Sequence, residues 1–147
     1  MTFTNFLVGL PLMLLCLIIQ VMVAYWCVTH YIGQVGKAKQ GFFSGSRPLA
    51  IVMVAMMCGN FVQISLWGVL FVQLGEFAEY YEAIYHSCVN FTSLGYGDVV
   101  MRKEWKLLGP LEAINGVLML GMTAALLMGI LQHMIRSRLE PMTKHGA

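Results

Sequence analysis

Charge is what this sequence has least of. Charged residues fill 11% of its 147 positions, against about 25% in a soluble domain. That deficit excludes an ordinary water-soluble fold. The net charge of +2 is too small to mark a nucleic-acid binder. Cys16, Cys27, Cys58 and Cys88 all fall in apolar runs, with no C-x-x-C and no paired spacing. They read as small buried hydrophobes, not disulfides or metal ligands. No Ser-His-Asp set has usable spacing and there is no phosphate-binding loop, so neither enzyme chemistry nor a cofactor is implied. No helix carries an arginine at every third position, which excludes a voltage sensor of the usual kind. There is no internal repeat, and the tail after Met134 is too short to hold a ligand-binding module.

What the chain has instead is apolar residues, 59% of it. Residues 5–27, 49–74 and 107–134 form three runs, each longer than the roughly 20 residues that cross about 30 Å of hydrocarbon. The expected class is an all-α integral membrane protein with three spanning helices, in contact with the lipid bilayer. The first run is read as a spanning helix and not a signal peptide, because "MTFTN" lacks a basic residue, the run is long, and no small-x-small cleavage site follows. A fourth run, residues 78–92, is too short to span and suits a re-entrant helix.

Basic residues set the orientation. The link 31–48 carries Lys37, Lys39 and Arg47 and no acid; the tail 135–147 carries Arg136, Arg138 and Lys144 against Glu140. Between the second and third runs, Glu76, Glu79, Glu82, Asp98 and Glu104 stand against Arg102, Lys103 and Lys106. The basic excess places the link and the C-terminus in the cytoplasm, and the N-terminus outside.

The stretch "NFTSLGYGDVV", residues 90–100, then falls on the outer side and interrupts the apolar pattern. Before it, Tyr80, Tyr81, Ile84, Tyr85, Cys88 and Val89 recur at helical spacing, and residues 83–97 carry no formal charge. A helix here would keep its glutamates at the water interface and point its neutral C-terminus, with its partial negative charge, into the membrane. The chain must then return without helical hydrogen bonds, which is tolerated at membrane depth only inside protein or beside a watery cavity. Gly95 and Gly97 flank Tyr96 and permit left-handed backbone, so that alternating conformations turn successive carbonyls to one side. Stacked rings of such oxygens from several chains can replace the water shell of a potassium ion. Ser93 adds a hydroxyl at the inner end, Tyr96 points away from the axis and braces the loop by packing, and Asp98 sits at the outer mouth. One such loop cannot enclose an ion path, so a homotetramer is expected.

"TSLGYGD" resembles the selectivity-filter signature of potassium channels, T-x-G-Y-G-D. The resemblance extends back over the preceding helix and forward into "W…LGPLEAINGVLMLGMTAAL", covering roughly residues 76–127. The chain is similar to small prokaryotic channels with two transmembrane helices and one pore loop, plus an extra helix in residues 1–30. The resemblance implies a pore domain over residues 49–134: outer helix 49–74, pore helix 78–92, filter 93–98 and inner helix 107–134. It implies passive conduction of monovalent cations, with potassium as the permeant ion coordinated at Ser93, Leu94, Gly95 and Tyr96 and the filter completed by Gly97. It also implies a bacterial cytoplasmic membrane. Thr92, Tyr85, His86, Asp98 and Glu112 form the expected filter support and outer mouth. Departures from the signature are Ser93 for Thr, Leu94 for Val or Ile, and Tyr85-His86 where many relatives carry an aromatic pair. These keep open a weakly selective cation channel, and a non-conducting subunit that retains the pore fold is the other alternative.

Four features of the third run and its surroundings have more than one reading. Glu112, an acid inside a spanning helix, is either a carboxyl hydrogen-bonded behind the filter, a proton-sensitive brace partnered by His86, or an ion ligand. Gly116 and Gly121 are either small residues for close helix packing, with Ala113, Thr123, Ala124 and Ala125, or a gating hinge. The triplet Asn90-Phe91-Thr92 matches a glycosylation acceptor but falls on the re-entrant helix, where no glycan fits. Asn60, Gln63 and Gln73 read as interhelical hydrogen-bond partners.

Overall fold

The computed structural model describes residues 2–35 and 46–144, and side chains within 2–34 and 47–137. Lys37, Lys39 and the link glycines Gly36, Gly41 and Gly45 lie outside the described residues, as do the side chains of Arg138, Glu140 and Lys144. The chain forms four helices: α1 Thr2–Val35, α2 Ser46–Gln73, α3 Tyr80–Phe91 and α4 Leu108–Lys144. Three are long and apolar enough to cross a membrane, over Thr2–Gln34, Arg47–Gln73 and Leu108–Ser137. The chain is an integral membrane protein. The helices outrun the apolar stretches at several ends because hydrogen bonding along a helix continues into the polar interface, where the hydropathy signal stops.

α3 has 12 residues, about 18 Å at 1.5 Å per residue, so it reaches only partway through a bilayer. Glu82 lies in its first turn, where a negative charge suits the helix dipole.

Each long helix buries one narrow stripe. On α2 the stripe runs through Val52, Met56, Asn60, Gln63, Trp67 and Phe71, a spacing of three and four that keeps one face inward. α2 is central: it packs on α1, α3 and α4, while α1 also packs on α4 and does not meet α3. Trp67, Phe71, Phe77, Met101, Leu108 and Leu111 form one apolar cluster at the α3 end of the bundle, and Cys27, Tyr31, Val52, Met56 and Ile130 another at the opposite end. The outward faces stay apolar, as in Leu7, Leu14, Ile18 and Met22 of α1, which is what contact with lipid tails requires. Cys16 and Cys27 are buried hydrophobes as expected, and Cys88 is half-buried, but Cys58 is exposed on the outer face of α2. That correction has a simple cause: in a membrane protein an apolar thiol has no reason to avoid the surface, since the surface is itself in hydrocarbon.

Candidate functional site

The site is the C-terminal end of α3, the loop that follows it, and the side chains behind both. α3 ends with Thr92, whose hydroxyl donates to the Cys88 carbonyl at 2.7 Å while its N–H takes the same carbonyl at 3.1 Å. The Ser93 N–H reaches Asn90 O at 2.8 Å and the Leu94 N–H reaches Val89 O at 2.9 Å, so the last orphan carbonyls of the helix are consumed in turning the chain. From there the backbone alternates. Ser93, Gly95 and Gly97 have φ of 57°, 61° and 73°, while Leu94 and Tyr96 between them do not enter the positive region. Glycine takes this conformation freely; Ser93 does so with a Cβ, a left-handed residue that the glycine pattern did not reveal. All of residues 92–98 are exposed, including the side chains of Leu94 and Tyr96. Tyr96, expected to brace the loop by packing, stands 66% exposed in the single chain.

Two ties hold the far end of the loop. The Tyr85 hydroxyl donates to Asp98 Oδ2 at 2.6 Å, and Asp98 Oδ1 accepts from the Val99 N–H at 3.0 Å. The bond from Tyr85 is the main reason the Asp98 carboxyl titrates below the usual carboxylate range. Further out, the Arg102 guanidinium donates to the Gly75 carbonyl, and the Arg102 N–H to Glu76 Oε2 at 2.7 Å. These contacts pin the chain entering α4 to the end of α2.

Behind the loop is a buried polar chain drawn from three helices. Ser87 donates to the Ile64 carbonyl of α2 at 2.8 Å and makes a very short contact with Glu112 Oε1 of α4. Asn90 Nδ2 lies 3.3 Å from Glu112 Oε2 and 2.9 Å from His86 Nε2, one hydrogen for each. With Nε2 accepting, His86 carries its proton on Nδ1 and donates it to the Val99 carbonyl at 3.0 Å. Phe71 and Phe77 pack against the imidazole, with ring centroids 5.6 and 5.1 Å away. The chain therefore runs from Glu112 through Asn90 and His86 to the backbone just past the loop. Among the described residues no basic side chain pairs with Glu112.

His86 and Glu112 are thus brought together, but through Asn90 and not directly. Ser87 and Asn90 are the members that sequence reasoning missed. The sequence reads Asn90 only as a glycan acceptor; the available signal is its spacing, four residues from His86 and three from Ser87 on one face of α3, but only the tertiary structure brings the Glu112 carboxyl of α4 between Ser87 and Asn90. Gly116 and Gly121 separate cleanly. A Cβ at Gly116 would enter the Phe91 backbone, 2.8 Å from its Cα and closer still to its carbonyl, whereas one at Gly121 would meet nothing within 4 Å. Gly116 is where α4 crosses the end of α3. Asn60 and Gln63 do bond across helices, to Thr123 and Gln20, while Gln73 is exposed at the end of α2.

A family model described as an ion channel matches residues 51–133, more than half of the chain. The chain belongs to this family, whose pore is potassium-channel-like. No curated protein and no solved structure gives a significant match. Membership supports ion conduction as the general function, and the family is a non-enzyme kind of protein.

Proposed function

We propose that the protein is a tetrameric channel for passive potassium conduction, with α3 as pore helix, residues 93–98 as selectivity filter, α2 as outer helix and α4 as inner helix. One observation carries this reading: left-handed φ at every second residue, Ser93, Gly95 and Gly97, in an exposed loop after a half-length helix. Alternation of this kind turns successive carbonyls toward one side, where rings of oxygen from four copies can replace the hydration shell of a potassium ion. The carbonyls of Ser93, Leu94, Gly95 and Tyr96 and the Ser93 hydroxyl are the proposed ligands. The same exposure supports assembly, since Leu94, Tyr96 and Val100 are large apolar side chains that a neighbouring copy would cover. Thr92, Tyr85, Asp98, His86 and Glu112 support the filter and its mouth. The basic link and tail orient the C-terminus to the cytoplasm of a bacterial inner membrane.

The test is flux into liposomes holding the purified protein, under a potassium and then a sodium gradient, with barium as blocker. Barium-sensitive flux of potassium alone is expected. Equal flux of both ions would make this a weakly selective channel, for which Ser93 and Leu94 are the motivation. Absence of flux from a particle that is not tetrameric would make it a non-conducting subunit.

A further inference from the structure

The matched region begins at residue 51, so α1 lies outside it, yet α1 is tied at three heights to α4 and the loop that leads into it. At the outer end, Asn5 Nδ2 donates to the Glu104 carbonyl at 2.8 Å, and Gly9 lets α1 close on Leu108 and Leu111. At the other end, the Tyr31 hydroxyl meets His133 Nδ1 at 3.3 Å, edge-on to its ring. The middle tie is the unusual one. Gln20 is fully buried in the centre of an apolar helix, a costly place for an amide unless it is bonded. Its Nε2 donates to Thr123 Oγ1 at 2.9 Å and lies 3.3 Å from the Met119 carbonyl, while its Oε1 accepts from Gln63 Nε2 of α2 at 2.7 Å.

Met119 and Thr123 stand on either side of Gly121, the glycine with open space around it, and α4 is one unbroken helix through this point. We infer that α1 is a splint for the pore-lining helix, with Gln20 as the positioning residue that bridges the two sides of Gly121 and holds α4 straight. A bend at Gly121 would move the Thr123 side relative to the Met119 side and pull both from one amide. The cluster also holds spare acceptors: Asn60 Oδ1 and Gln63 Oε1 are buried with no partner among the described residues. The amide and hydroxyl donors therefore have a second set of partners to move to, which is what a two-state contact needs. Thr123 also donates to the Met119 carbonyl at 2.9 Å, a contact that favours bending of a helix once it is no longer held.

The inference rests on α4 lining the path proposed above, and the experiment has two readouts so that the two can fail separately. Gln20→Leu keeps the size of the side chain and removes the amide; Gln20→Leu with Gln63→Leu removes the orphaned donor as well. Leu14→Ala, on the exposed face, is the control. In lipid nanodiscs, amide hydrogen exchange across residues 121–125 is expected to rise about three- to tenfold in both variants, the range that interhelical hydrogen bonds in membranes support, and to stay unchanged in the control. In liposomes, barium-sensitive potassium flux is expected to rise by a similar factor, with the potassium-to-sodium ratio unaltered. Unchanged exchange in both variants overturns the splint whatever the flux. Raised exchange with unchanged or reduced flux overturns its control of conduction. Raised exchange with no flux from either the unsubstituted protein or the variants overturns the conduction reading and leaves the splint standing.

Discussion

The two sides of the α3 terminus are built to different rules. Behind it, His86, Ser87 and Glu112 are buried and linked by hydrogen bonds to each other's helices. Beyond it, residues 92–98 are all exposed, and Gly95 and Gly97 have nothing near where a Cβ would point. The first region is complete within one chain. The second has its backbone turned into shape by α3 but no packing of its own. A single chain thus supplies the frame; in the proposed tetramer, neighbouring copies would supply the walls.

The exposed loop should be most sensitive to Gly95→Ala. The space is open, so any defect comes from the positive φ and not from a clash. At about 1–2 kcal/mol for a left-handed residue with a Cβ, repeated in each copy of the proposed tetramer, potassium flux should fall on the order of a hundredfold or more. Helical content by circular dichroism should not change. Normal flux in this variant would remove residues 93–98 from the ion path.

The frame should fail differently. Gly116→Ala drives a methyl into the Phe91 backbone and should destabilise the folded protein by about 1–3 kcal/mol or more, read as a lower midpoint of unfolding in detergent. Gly121→Ala meets nothing and should leave the midpoint equal or raise it, by up to about 1 kcal/mol. Equal midpoints for the two variants would mean that α4 does not cross α3 this closely.

Glu112 gives a finer contrast. Ser87 has one hydroxyl hydrogen and two acceptors within reach, the Ile64 carbonyl and Glu112 Oε1. A side chain that donates to Ser87 and accepts from Asn90 satisfies every contact, and glutamine can do both. Glu112→Gln should therefore cost less than about 1 kcal/mol, whereas Glu112→Leu leaves Ser87 and Asn90 short of partners and should cost about 1–3 kcal/mol. Both values would be read from unfolding midpoints, and a Gln variant as damaged as the Leu variant would show that the carboxylate charge itself is needed.

The smallest effect expected is at the mouth. A carboxyl whose value is depressed in the folded state gives a contribution that is complete above the ordinary aspartate range and is lost only as pH falls through the depressed value. The Tyr85–Asp98 contact should therefore not respond to lowering the pH on the loop side from 7 to 5. Flux through Tyr85→Phe, which lacks the hydroxyl, should follow the same pH curve over that window; divergence of the two curves would mean that Asp98 titrates within it.

Much of this was legible in the residues. Three spanning helices follow from run length, the short fourth helix from its length and missing charge, and the turn of the loop from Gly95 and Gly97. These are local properties, set by hydropathy and backbone sterics within a few residues of each position. Other features depend on elements far apart in the chain. That Ser93 joins the left-handed set depends on how α3 hands its last carbonyls to Ser93 and Leu94. That Asn90 links His86 to Glu112 depends on where α4 crosses α3, which Gly116 permits.

The same division holds for the polar residues of the spanning helices. The residues alone require Asn60 and Gln63 to find partners, because an amide in hydrocarbon is costly without them; the same cost applies to Gln20, which the sequence analysis did not single out. Only the packing of α1 on α2 and α4 decided which partners those were, and that they lie on both sides of Gly121. The reason is physical: the cost of an unpaired group belongs to the residue, but its relief belongs to whatever the tertiary structure brings within about 3 Å.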